Sequence, residues 1–153
     1  MRKILLTFIL ALSILVMASA QDYRTGIGLR AGLSNGLTLK HFVSSNAAFE
    51  ALFSTRWAGF DITGLYELHN RAFDIVRLNW YYGGGAHIGS YKGRDVPWGT
   101  SGVIIGIDGV LGIEYNFSEA PINLGIDWKP SFNIVGNSEF WGDGGAVSIR
   151  YIF

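Results

Sequence analysis

Six side chains have types that could support catalysis or metal binding, namely His41, Asp61, Glu67, His69, His87 and Ser90. The three histidines fall on different predicted strands, without the close spacing of a metal site. Ser90 lies three residues after His87, and side chains at that spacing in a strand point to opposite faces. A serine nucleophile and its general base must face one another, so this pair does not favour nucleophilic catalysis. We predict no enzyme, no cofactor and no metal, and His87 as a hydrogen-bonded interior residue.

Two longer connections, at 92–101 and 134–141, are the remaining places where binding residues could lie. Lys92 and Arg94 could contact phosphate groups, and aromatic residues such as Trp141 could contact lipid or a partner. Ordinary surface positions explain these residues better. Both connections are short, which argues against a large receptor.

The strands that would position all these side chains belong to a chain whose first residues have the features of an export signal. A basic start precedes an apolar run over 4–17 and small residues at 18–20. This is the layout of a secretory signal peptide, and the apolar run is too short for a comfortable spanning helix. We predict a cleaved signal peptide at 1–20 and a single domain at 21–153.

Composition narrows the class of protein further. The 12 basic and 12 acidic residues balance, and removal of the signal peptide leaves a slight acidic excess. A nucleic-acid partner is therefore not expected, because it calls for a basic surface. The chain has 0 cysteines, so neither disulfides nor thiolate metal sites contribute to its stability.

Turn residues divide the domain into strands of about ten residues, as in a membrane barrel. We predict eight strands, at 23–33, 36–43, 47–57, 60–69, 78–91, 102–117, 121–133 and 142–153. The breaks are rich in Gly, Asn and Ser, which tight turns require. An even strand count places both ends of the barrel on one side, which we expect to be the periplasmic side.

Period-two alternation gives the strands one apolar and one polar face. The sixth predicted strand has Ile105 and Ile107 on one face and Asp108 and Glu114 on the other. A soluble lipocalin-like barrel would turn the apolar face inward, and a membrane barrel would turn it outward. The alternation alone fits both arrangements.

Two features favour the membrane arrangement. Aromatic residues of the apolar face fall near the two ends of the strands, where rings meet lipid–water boundaries. These predicted interface aromatics are Phe49, Trp57, Phe60, Trp80, Tyr82, Tyr115, Phe117, Trp128, Tyr151 and Phe153. The polar face is rich in glycine, which suits the crowded lumen of an eight-stranded barrel.

The polar face also carries charges of both signs in near balance. They are Arg30, Lys40, Glu50, Arg56, Asp61, Glu67, Asp108, Glu114, Asp127, Lys129 and Arg150. Charges confined in a narrow lumen must pair, because an isolated buried charge costs several kcal/mol. We therefore predict an all-β fold: an eight-stranded antiparallel up-and-down transmembrane β-barrel with a polar, side-chain-filled lumen.

The predicted domain resembles the small outer-membrane barrels of the OmpA-transmembrane-domain and OmpX type, and most closely the short barrel proteins of Bacteroidetes. The resemblance rests on segments 25–32, 80–85 and 144–153. Ile149, Tyr151 and Phe153 resemble the terminal signal read by the barrel-assembly machinery, although Ser148 stands where that signal has glycine.

The resemblance implies a cell outer-membrane location in a Gram-negative envelope. It also implies contact with outer-membrane lipid and lipopolysaccharide, and with periplasmic chaperones and the assembly machinery during biogenesis. We expect a monomer with a structural, envelope-integrity or surface-interaction role. The alternatives are a narrow porin-like channel for small solutes and a lipid A-modifying barrel enzyme.

Overall fold

The computed structural model describes residues 23–33, 35–56, 59–91, 102–136 and 138–153, and the backbone alone at Arg56. The predicted signal peptide, Trp57 and the connection at 92–101 lie outside the described residues. Within the described part of the chain, no helix has the length and apolar character that a membrane crossing requires.

The described residues form an all-β structure. Its strands are β1 (Thr25–Gly32), β2 (Asn35–Phe42), β3 (Ala47–Arg56), β4 (Gly59–Arg71), β5 (Leu78–Tyr91), β6 (Gly102–Asn116), β7 (Ile122–Trp128), β8 (Ser131–Val135), β9 (Phe140–Trp141) and β10 (Gly145–Ile152). Each of β1 to β6 pairs antiparallel with the next, and β10 pairs with both β7 and β1. The last pairing closes the sheet, so in the described part of the chain each of β1 to β7 and β10 has a partner on both sides.

The ten strands make an eight-stranded, up-and-down barrel, as predicted, because β7 and β8 follow one another along β6. The predicted seventh strand at 121–133 is nevertheless wrong as a continuous element. It is interrupted at Pro130, which has no N–H to give to the sheet. The Pro130 carbonyl still accepts a hydrogen bond of 2.9 Å from the Gly109 N–H.

The predicted loop at 134–141 is also wrong in part. Ile134 and Val135 continue β8, and β9 pairs with β8 through Phe132 opposite Phe140. The predicted eighth strand begins at Gly145 rather than at residue 142. Apolar residues in this segment extend the wall of the barrel where the sequence suggested a connection.

Two rims bound the barrel. The terminal rim holds the start of β1, the end of β10 and the turns 43–46, 72–77 and 117–121; the opposite rim holds the other strand ends. At the terminal rim the Thr25 N–H donates to the Phe153 carbonyl at 2.9 Å. The two ends of the described barrel therefore meet at one rim.

The interior of the barrel is polar and its outer surface is apolar. Lys40 and Arg150 are 0% exposed, whereas Ile126 is 60% exposed. Leu52, Leu65 and Val110 interrupt the polar pattern, and with Tyr81 they form a small buried apolar cluster inside. A water-soluble protein normally shows the reverse distribution, with charged residues almost never fully buried.

Glycines on the inner face make room for the largest lumen side chains. A Cβ at Gly112 would collide with the Tyr81 ring, and one at Gly106 would lie 2.5 Å from the His87 ring. A Cβ at Gly125 would lie 3.1 Å from the Arg150 guanidinium. These glycines leave the space that the large lumen side chains occupy, as expected in a barrel whose interior is just wide enough for side chains to fill.

We predict that Gly112→Ala destabilises the barrel by about 1–3 kcal/mol, because the new methyl group overpacks the lumen against Tyr81. Gly64→Ala is the matched control, since a Cβ at Gly64 meets nothing within 4 Å. The unfolding midpoint of each variant in urea measures the difference. Equal midpoints for the two variants would contradict a tightly filled lumen.

Candidate functional site

The centre of the lumen is a lysine surrounded by carboxylates. Lys40 Nζ lies 2.8 Å from Glu67, 3.3 Å from Glu114 and 3.8 Å from Glu50. The same ammonium lies 4.0 Å from the centre of the Tyr81 ring, on which it can make a cation–π contact. All these side chains are buried, so the Lys40 ammonium helps to compensate three carboxylates that have lost their water.

Arg150 supplies the second positive charge of this cluster. Its Nη2 lies 2.5 Å from Glu50, and its Nη1 lies 3.8 Å from Glu114. Neutral groups take its remaining donors: Nη1 donates to Asn123 Oδ1 at 2.9 Å, and Nε donates to Thr38 Oγ1 at 3.0 Å. The planar guanidinium, whose donors have a fixed geometry, therefore joins four strands through three hydrogen bonds and the longer ion pair with Glu114.

The strand register explains why these groups meet. Lys40 is directly opposite Glu50 across β2 and β3, and Arg150 is directly opposite Asn123 across β10 and β7. Glu114 on β6 is opposite Gly125, whose missing side chain leaves space for the Arg150 guanidinium. Directly opposite side chains on one face of an antiparallel pair are near neighbours.

A separate ion pair lies beside this cluster. Arg30 holds Asp127 through two bonds, from Nη1 at 2.5 Å and from Nη2 at 2.6 Å. Tyr81 also donates its hydroxyl to Asp127 at 3.3 Å. The bidentate geometry is the strongest arrangement of an arginine and a carboxylate. Tyr81 therefore contacts both charge groups of the lumen.

Two further groups lie between the cluster and the terminal rim. His69 Nε2 lies 3.1 Å from Glu67, and its ring stacks on Tyr81 with centroids 4.9 Å apart. Tyr23, which precedes β1, donates its hydroxyl to Glu114 at 3.0 Å. Burial and the Glu114 charge raise the pKa of the Tyr23 hydroxyl well above its usual value, so it stays a hydrogen-bond donor.

A third charge group lies toward the opposite rim. Asp108 accepts from Lys129 Nζ at 2.7 Å and lies 2.7 Å from His87 Nδ1. His87 Nε2 lies 2.9 Å from Asn133 Oδ1, so both ring nitrogens have partners. The prediction of His87 as a hydrogen-bonded interior histidine is confirmed.

The other residues with candidate chemistry are spread apart. Ser90 is opposite the outward-facing Phe60 and not on the inner face with His87. Asp61 accepts a hydrogen bond of 3.2 Å from Thr63, and the exposed His41 lies 2.9 Å from Thr25 Oγ1. Among the described residues, no group of three or more histidines and carboxylates is arranged to hold a metal ion.

The structure brings most of the predicted lumen charges together. Arg30, Lys40, Glu50, Asp61, Glu67, Asp108, Glu114, Asp127 and Arg150 are buried inside, and Lys129 is half-buried. The Arg56 side chain lies outside the described residues. Sequence reasoning missed the role of Thr38, Tyr81 and Asn123, which complete the network. The alternation of the strands places these three side chains on the inner face, but the sequence does not show which residues they contact.

The predicted interface aromatics point outward. Those in the described residues, all at least 36% exposed, are Phe49, Phe60, Trp80, Tyr82, Tyr115, Phe117, Trp128, Tyr151 and Phe153. Trp57 lies outside the described residues. Near the terminal rim several of them make ring contacts, such as Tyr115 with Phe117 at 5.1 Å. Ile149, Tyr151 and Phe153, the predicted assembly signal, share this outer face.

No protein-family model matches the chain, and no curated protein matches it. The distribution of charge and apolar surface in the barrel is therefore the feature that bears on function.

We predict that Lys40→Met destabilises the barrel by about 3–5 kcal/mol, because three buried carboxylates lose their shared cation. The double variant Lys40→Met/Glu67→Gln should recover part of the loss, since it removes the carboxylate closest to Lys40. Arg24→Met is the control, because Arg24 is an exposed cation at the terminal rim. Unfolding midpoints in urea measure the stability of all three variants. A Lys40→Met variant with an unchanged midpoint would contradict the network.

Proposed function

We propose that this protein is an integral outer-membrane β-barrel with a closed lumen. In this proposal the barrel has a structural role in the cell envelope or at its surface. The observation that carries the proposal is the inverted distribution of side chains, with ionised groups inside the barrel and aliphatic groups outside. Lipid is the solvent that suits such an outer surface.

Two physical arguments support a membrane location. Every inter-strand position of a closed barrel satisfies its backbone groups internally, which hydrocarbon demands and water does not. The outer surface also exposes large aliphatic residues from neighbouring strands, including Ile126 of β7 at 60% and Ile149 of β10 at 48%. A soluble monomer rarely exposes a contiguous apolar surface that extends around most of its wall.

The filled lumen favours a structural role over a channel. Lys40, Tyr81 and Arg150 are 0% exposed. Lys40 and Arg150 share Glu50 and Glu114, and the Lys40 ammonium lies 4.0 Å from the centre of the Tyr81 ring. A permeant ion would have to displace these pairs, each of which replaces water that the charges have lost. The described residues also bring no serine to the ring nitrogens of His87, so no observation favours the lipid A-modifying alternative.

The partners in this proposal follow from the outer surface. Outer-membrane lipid and lipopolysaccharide would contact the aliphatic band and the aromatic rings at its two edges. The outward residues Ile149, Tyr151 and Phe153 would be read by the barrel-assembly machinery while the last strand is still unpaired. These proposed partners are the ones that the resemblance to small outer-membrane barrels implies.

We predict that Ile107→Lys lowers the stability of the liposome-inserted barrel by about 2–4 kcal/mol, because a charge enters the lipid-facing band. Ile107 lies near the middle of β6 and is exposed. Ser45→Lys, at an exposed turn of the terminal rim, should leave the stability unchanged. In a water-soluble barrel both new lysines would be exposed to water, and both substitutions would change the stability little. Equal urea midpoints would therefore contradict the membrane location.

The closed lumen makes a separate prediction. Purified protein inserted into a planar bilayer should give no steady conductance, because the Lys40 and Arg150 pairs fill the interior. Insertion is checked in parallel by the gel mobility of the folded barrel. A stable, ohmic conductance from inserted protein would contradict a closed lumen and support the narrow-channel alternative.

A further inference from the structure

The turn between β4 and β5 at the terminal rim departs from the usual rules of a short turn. Phe73 and Asp74 have φ angles of 51° and 55°, and Arg77 has a φ of 72°. These three are the positive-φ residues other than glycine in the described part of the chain. A bulky side chain in this conformation is an outlier, and such strain gathers at functional positions.

The hydrogen bonds show what kind of turn this is. The Ile75 N–H donates to the Ala72 carbonyl at 3.0 Å, which closes a four-residue turn with Phe73 and Asp74 at its centre. Positive φ at both central positions defines a type I′ turn, which strongly prefers Asn-Gly or Asp-Gly. The chain instead places phenylalanine at the first central position, which offers the turn no conformational advantage.

The same turn exposes apolar side chains beyond the ends of the strands. Phe73 is 83% exposed, Val76 is 68% exposed and Ile75 is 50% exposed. The tips of the other two turns of this rim are polar, with Ser44 and Ser45 in one and residues 118–119, Ser-Glu, in the other, although Val43 and Phe117 beside them are exposed. Strained backbone and exposed apolar side chains therefore coincide at this turn.

The position of the turn indicates what covers it. Arg77 Nη1 donates to the Phe117 carbonyl at 3.4 Å, and Leu78 is directly opposite Tyr115. At the other end, Asn70 is directly opposite Trp80. The turn is therefore joined to outward aromatic residues of the terminal rim, which in the proposed function mark the boundary between lipid and water.

We propose that the turn Ala72–Arg77 binds the phospholipid headgroup layer at the terminal rim. Phe73, Ile75 and Val76 enter the boundary between headgroups and acyl chains. The exposed Arg71 and Arg77, at either end of the turn, contact lipid phosphates. Apolar side chains flanked by arginines are the chemistry of elements that lie in a membrane interface. This inference rests on the proposed membrane location. In addition to the contact between the barrel wall and lipid, it gives the end of the barrel a contact with lipid headgroups through this turn.

Single cysteines test the proposal cleanly, because the chain has 0 native cysteines. Val76→Cys, Ser45→Cys and Ile107→Cys each receive an environment-sensitive fluorophore in the full chain. The proteins are inserted into vesicles of phosphatidylethanolamine and phosphatidylglycerol. Emission is quenched from the lipid by spin-labelled phospholipid and from water by iodide. Val76 probes the turn, Ser45 is the polar control at the same rim, and Ile107 reports on the lipid-facing wall.

We expect blue-shifted emission with quenching by spin-labelled lipid at Val76 and Ile107, and iodide quenching at Ser45. Adding Phe73→Asn, which suits the type I′ turn, should shift the Val76 label toward iodide quenching without unfolding the barrel. Iodide quenching at Val76 with lipid quenching at Ile107 overturns the lipid-binding turn and leaves the membrane location intact. Iodide quenching at Ile107 overturns the membrane location itself.

Discussion

A charge inside a closed barrel has only other side chains to replace the water that it has lost. This constraint governs the interior of the protein. Lys40 and Arg150 bridge Glu50 and Glu114 across the lumen, and Lys40 also holds Glu67. Because each group is shared, removing one leaves several without compensation. We expect the network to favour the observed register of the strands, because a shift by one residue would turn these side chains to the other face.

The same register explains the glycines and the outer surface. The rings of Tyr81 and His87 and the Arg150 guanidinium fit where the inner face of a neighbouring strand has glycine. Side chains alternate inward and outward along each strand, and in this sequence the residues between the polar lumen positions are mostly apolar. The wall exposes large aliphatic residues that water would disfavour, and the proposed function assigns them to lipid. Interior and exterior are thus two results of one alternating pattern.

The fold was predictable because alternation and turn residues are local signals. The eight-stranded barrel and the buried side of Lys40, Glu50 and Arg150 followed from them. Partners were not predictable, because strand register depends on how the whole sheet closes. Pro130 interrupts a strand that alternation alone would continue, and apolar residues of β9 were mistaken for a loop. Leu52, which breaks the alternating pattern, lies in an internal apolar cluster that only the closed barrel creates.

The central claim is that the apolar wall meets lipid while the interior does not. Nuclear Overhauser contacts between lipid acyl protons and labelled methyl groups test this directly in nanodiscs. We expect acyl contacts at the methyl groups of Ile107 and Ile126, which face outward, and none at Leu52 and Leu65, which face inward. Water contacts at Ile107 and Ile126, or acyl contacts at Leu52 and Leu65, would contradict the claim.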